Sequence, residues 1–125
     1  MEAVVPVLRR MPAALGYLRV VRPDSTEDAF WSWAIVGFCM ASGRALRRVF
    51  RDTGGTGVGT PGRVGWTMLL AELAGLTAPT VVVPSMQHLG DAAAQARMCE
   101  QVAAAGGVVH PLTPAGVPRP RLGRR

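Results

Sequence analysis

Apolar residues along the 125-residue chain fall into short runs whose period alternates between that of a strand and that of a helix. Leu15–Val21 is a β-favouring run broken by Pro23. Asp24-Ser25-Thr26-Glu27-Asp28 then reads as a helix start. Ser25 can cap the free amides, and Asp28, three residues on, reaches back or meets the helix dipole. This helix is expected to run to about Ser42, with Gly43 as its stop. Trp31, Ala34, Ile35, Phe38 and Cys39 repeat at i, i+3, i+4, i+7, i+8 and form one face. The opposite face carries Trp33, Val36 and Met40 where charges would be expected. A helix apolar all round is buried or meets a partner, which makes these three residues a candidate partner interface.

Ala45–Phe50 reads as a second, half-exposed strand, since Arg47, Arg48 and Arg51 interrupt its apolar residues. The glycine-rich stretch Asp52–Gly62 reads as a mobile loop. Arg63–Gly75 follows as a helix with Trp66, Leu69, Leu70 and Leu73 on one buried stripe. Thr80–Val83, a β-branched run between Pro79 and Pro84, reads as a fully buried parallel strand. Asp91–Ala105 is an alanine-rich helix stopped by Gly106-Gly107, and Val108–His110 is a last short strand ended by Pro111. The resulting βαβαβαβ order implies an α/β three-layer domain over a mostly parallel four-stranded sheet. Residues 15–112 form this domain, between a basic extension at 1–14 and a Pro/Arg-rich tail at 113–125 that is expected to be disordered.

The formal net charge is +6, and every basic residue is arginine. Such an excess first suggests a nucleic-acid partner. Yet residues 16–112 contain eight arginines against seven acids, so the termini supply most of the charge. Cys39 and Cys99 lie in helical segments without a disulfide framework, which fits a reducing cytoplasm. His88 and His110 are isolated, so no metal or other cofactor is implied. The longest uncharged stretch, Ala29–Gly43, falls short of the ~20 residues of a transmembrane helix, and the N-terminus does not have the order of a signal peptide.

Ligands on parallel sheets collect at the carboxyl ends of the strands, here Arg19–Arg22, the glycine loop and Pro84–Asp91. Gly57–Gly62 fits G-x-G-x-x-G, but it does not follow the first strand, Pro61 removes an amide donor, no acidic residue ends the Thr80–Val83 strand to hold a ribose, and no lysine is present, so a simple flexible loop is favoured. Arg19, at the end of the first strand, suits phosphate or carboxylate recognition; the alternative is a surface ion pair with Asp52 or Glu27. Ser25 reads as a helix cap in preference to a nucleophile, and His88 as a local hydrogen-bonding residue in a loop. The three tryptophans sit on helices at core spacing.

Taken together, these segments resemble the catalytic domain of the resolvase/invertase-type serine recombinases. Gly16-Tyr17-Leu18-Arg19-Val20 resembles the family's G-Y-x-R-V opening strand. The helix ending at Gly43, followed by Val49-Phe50-Arg51-Asp52, resembles A-x-x-x-G…V-F-x-D. Arg63–Leu70 resembles R-P-G-F-x-x-L-L, with Val64 in place of the proline. Val81–Val83 with Met86–Leu89 resembles V-V-V…L-D-R-L, and Gly107-Val108 matches the last strand.

The resemblance implies a chemistry that this chain departs from. In the family a serine after the R-V pair attacks a DNA phosphodiester, giving a phosphoserine link. Val21 occupies that position. Gln87, His88 and Asp91 stand where the family places an aspartate and two arginines, and Thr56 falls where a loop serine lies. Asp52 is kept, and Arg19 and Arg63 match two phosphate-binding arginines. Loss of a nucleophile alone costs on the order of 10⁶ in rate. The tail, interrupted by Pro114, Pro118 and Pro120, is not expected to form the long helix that follows this domain in the family. The expectation is a catalytically inactive, DNA- or protein-binding remnant, with weak non-specific phosphate contacts and possible homo- or hetero-oligomers. The alternative is a protein that binds a small phosphate ligand, or an enzyme acting on one, in the same crevice.

Overall fold

Thr80–Val83 can be buried on both faces because all four of its residues tolerate a dry, pleated environment, and this places the strand inside a sheet. The computed structural model describes residues 11–54 and 63–113. It contains β1 (Ala13–Val20), α1 (Thr26–Ala41), β2 (Ala45–Thr53), α2 (Val64–Leu73), β3 (Thr80–Val83), a 3₁₀ turn (Met86–Leu89), α3 (Ala92–Ala104) and β4 (Val108–Pro111). The strands form one sheet in the order β2-β1-β3-β4, and every neighbouring pair is parallel.

Alternation along β1 divides the core in two. Leu15 and Tyr17 pack with Trp66, Leu69 and Leu73 of α2 and with Met98 and Val102 of α3. Ala14, Leu18 and Val20 pack on the other face with Ile35 and Cys39 of α1. This is the expected three-layer α/β arrangement, one helix on one face and two on the other. The cysteines fall on opposite sides of the sheet, Cys39 in one core and Cys99 against the other. Burial pushes both thiols up from their ordinary values.

Element boundaries differ from the expected ones at the sheet. β1 begins at Ala13, two residues early, because Ala13 and Ala14 are buried and pair with Ala45 and Leu46 of β2. It ends at Val20, and Val21 is released into solvent. β2 runs on to Thr53, so Asp52 belongs to the sheet and not to the glycine loop. Residues 55–62 of that loop, with Thr56 and the G-x-G-x-x-G pattern, lie outside the described residues, as do most of the N-terminal extension and nearly all of the tail.

Ser25 caps α1 by accepting the Asp28 amide at 3.2 Å, and Gly43 ends the segment with φ of +70°. Asp28 reaches back, accepting the Asp24 amide at 3.1 Å, and it also ties α1 to β2. Arg51 Nε donates to its carboxylate at 2.8 Å, and the Ser32 hydroxyl donates at 3.0 Å. Burial works against ionisation of Asp28. The hydrogen bonds from Arg51, the Asp24 amide and Ser32 outweigh it and hold the carboxyl below its ordinary 3.8. A lowered carboxylate pKa stabilises the fold above the unfolded value, and that stabilisation is lost as pH falls through the folded one. Asp28→Asn is therefore expected to lower stability at pH 7 by about 1–2 kcal/mol and to flatten the acid limb below pH 3.8. Denaturant titrations of both proteins across pH 2–6 check this.

Candidate functional site

The sheet order places helices from β1 and β3 on opposite faces, so the crevice of the fold opens where β1 and β3 end. Alternation sends Tyr17 and Arg19 of β1 to the face covered by α2 and α3, and parallel register sets Asp52 of β2 beside Arg19. All three are buried, with Arg19 only 1% exposed. This corrects the surface ion-pair alternative for Arg19: it lies beneath the strand ends, in register with Asp52 but shielded from solvent.

Asp52 organises the floor of the crevice. Its Oδ2 accepts from the Tyr17 hydroxyl at 2.7 Å and from the Trp66 amide at 3.0 Å, and its Oδ1 accepts from the Gly65 amide at 2.7 Å. The N-cap residue of α2, Arg63, makes no side-chain cap bond, so the β2 carboxylate supplies the negative charge that the helix start attracts. Such an approach requires Gly65. A Cβ there would clash with the Arg51 carbonyl oxygen and stand 2.9 Å from its carbon. Burial, then the hydrogen bond to Asp52 and its charge, push the Tyr17 phenol well above its ordinary 10.0. The charges of Arg63 and Arg19 oppose that rise.

Arg63 reaches from the start of α2 across to the other wall. Its Nη1 lies 3.1 Å from the Met98 thioether, and a Cβ on Gly90 would meet its Nη2 at 2.8 Å. Gly90 has φ of +115°, which also favours glycine. Sulfur is a weak acceptor, and Arg63 has no carboxylate partner among the described residues. His88 closes the crevice from the 3₁₀ turn. It is buried, and its Nδ1 accepts the Arg19 amide at 3.0 Å, 69 residues away in sequence. The local loop role expected for His88 is thus corrected to a long-range clamp on the end of β1. Its ring also meets Trp31 edge-on at 6.3 Å.

The other expected positions surround this core. Val21, directly after β1, is 69% exposed at the mouth. Gln87 is exposed on the 3₁₀ turn, and exposed Asp91 caps α3 by accepting the Ala94 amide at 2.9 Å. The Ser25 hydroxyl is occupied as the cap of α1. Trp33, Val36 and Met40 lie away from the crevice on the outer side of α1. Trp33 and Met40 are exposed and Val36 half-buried, so Trp33 is not the core residue that helical spacing suggests. Two features escaped sequence reasoning. The Asp28–Arg51 pair has no signal, being 23 residues apart. Tyr17 had one: a hydroxyl in an otherwise aliphatic buried strand requires a partner.

The fold matches solved structures. The catalytic domain of ISC1926 TnpA, an IS607-like serine recombinase, superposes with a TM-score of 0.68 at 18% identity, covering 82% of this chain and 71% of that one. The chain has the fold of a serine recombinase catalytic domain. The catalytic domain of TP901-1 integrase gives 0.66 at 16% identity, over 80% of this chain and 76% of that one. The first open reading frame of transposon ISC1904 from Sulfolobus solfataricus P2 gives 0.59 at 17%, over 84% and 71%. No family model and no curated protein matches the sequence. Within this serine-recombinase fold, Arg19, Asp52 and Arg63 gather around Tyr17, while Val21 stands at the mouth. No described helix is long and apolar enough to cross a membrane.

Proposed function

We propose that this chain is a recombinase-fold protein that does not exchange DNA strands and keeps a weak, non-specific attraction for DNA phosphate. The observation that carries this reading is Val21, exposed at the carboxyl end of β1 with no atom able to form a phosphoester. The hydroxyl nearest in sequence, on Ser25, is committed to the α1 cap. Aspartate at position 91 further sets a negative charge at the rim, where it repels a phosphodiester.

Phosphate attraction is supported by Arg63, whose guanidinium rests on a thioether and so keeps donors for a stronger acceptor. Arg19 contributes its charge from beneath. A small phosphate ligand is less well served, because Asp52 already takes the α2 amides on which one would sit. With the body of the chain nearly neutral, binding is expected to be weak and dominated by counterion release.

Anisotropy of a labelled random-sequence duplex tests this. At physiological salt the expected Kd falls in the non-specific range of about 10⁻⁴–10⁻⁶ M and tightens steeply as salt is lowered. Arg63→Ala should weaken binding equally for all sequences and reduce the log–log salt slope by about one. No binding at about 50 mM salt, or affinity indifferent to salt, contradicts the proposal.

A further inference from the structure

The outer side of α1 carries a second apolar seam that the fold leaves uncovered. Phe30, Trp33, Gly37 and Met40 follow one another at spacings of three, four and three, the repeat by which helices pair along a shallow supercoil. Trp33 is 73% and Met40 77% exposed, Phe30 is also exposed, and no charge occurs from Ala29 to Gly43. These residues lie opposite Ile35 and Cys39, which face the sheet, so burial in the monomer does not account for them.

We propose that this seam joins two copies of the chain as an antiparallel pair of α1 helices. The residues on the seam are self-complementary about a two-fold axis passing midway between Trp33 and Gly37. In that register Trp33 of one copy meets Gly37 of the other. Nothing lies within 4 Å of a Cβ built on Gly37, so an indole has room there. Phe30 meets Met40 of the second copy, an aromatic–thioether contact.

Charge selects the same direction. Exposed Asp24 and Glu27 lie at the N-terminal end of α1, and Arg44 and Arg47 follow its C-terminal end. An antiparallel pair sets acidic end against basic end and opposes the helix dipoles, whereas a parallel pair sets like against like. Aromatic side chains bury about 150–250 Å² each. The exposed parts of Trp33 and Phe30 from two copies thus supply roughly half of the ~1,000 Å² that a specific interface needs, and Met40, Ala29 and Ala41 add to it. The inference stands apart from DNA binding and does not depend on it.

Sedimentation velocity of the full chain tests the pairing. Dimers are expected at about 100 µM, and Trp33→Glu, at a position exposed in the monomer, should weaken association at least tenfold with an unchanged circular dichroism spectrum. Direction is tested by crosslinking in a Cys99→Ser background. Phe30→Cys with Met40→Cys should give a disulfide-linked dimer under mild oxidation, while Phe30→Cys alone should not. Within one helix the two positions are about 15 Å apart, too far to bridge. A wild-type monomer at about 100 µM, which leaves the seam to some other protein, overturns the proposal. So does a dimer indifferent to Trp33→Glu, or Phe30→Cys crosslinking to itself as readily as the pair.

Discussion

Asp52→Ala is expected to remove roughly 3–5 kcal/mol of folding stability, a large share of the ~5–15 kcal/mol available to a domain of this size. The carboxylate serves three donors at once, the Tyr17 hydroxyl and the amides of Gly65 and Trp66. Alanine strands all three between β1, β2 and the start of α2, where they are poorly placed to recover water. A buried donor left without an acceptor costs about 1–3 kcal/mol. Asp52→Asn keeps the shape and one acceptor oxygen, so it should cost about half as much. Tyr17→Phe removes one donor together with its need, and should cost only about 1 kcal/mol. The two positions should therefore be strongly non-additive in a double-mutant cycle. Denaturant midpoints check the order. An Asp52→Ala protein within about 1 kcal/mol of wild type would mean that the α2 amides reach solvent, and the crevice floor would not be the rigid element described.

The same carboxylate shows where sequence reading ends. Strand and helix periods were clear enough to place all eight alternating and connecting elements but the 3₁₀ turn, because Thr80–Val83 and the Trp66–Leu73 stripe have only one way to be buried. Asp52 reads as the start of a loop, since Gly54 and the glycines beyond it follow at once and polar residues favour turns. Only parallel register with Arg19 reveals it as a strand residue that caps a helix. Arg19 itself, an arginine near a strand end, reads equally well as a surface residue. It is buried, and its amide bonds to His88 from 69 residues away, a contact that no local pattern encodes. The crevice is legible as a location but not as a network, because its contacts are tertiary and its spacing carries no period.

Val21→Ser is expected to leave the protein without strand-exchange activity, although it adds the hydroxyl that the resemblance places there. In the serine-recombinase fold a nucleophile must still meet a phosphate whose developing charge is held by several cations. Here His88 is folded onto the Arg19 amide, and Asp91 is spent on the α3 cap. The resemblance puts arginines at positions 88 and 91, and loss of one preorganised donor costs about 10²–10³ in rate, so the variant is expected some 10⁴–10⁶ below a working site. Repair is expected only when Val21→Ser is combined with Gln87→Asp, His88→Arg and Asp91→Arg, and the His88 change should cost stability by releasing the end of β1.

Covalent capture shows whether the crevice can cut DNA. DNA substrates that trap a phosphoserine intermediate should be incubated with wild-type protein and with Val21→Ser, and the products resolved on denaturing gels. Neither protein should give a protein–DNA adduct at concentrations where anisotropy shows the duplex bound. An adduct from the wild-type chain, mapped by mass spectrometry to Ser25 or to any other serine, would contradict the proposed lack of strand exchange.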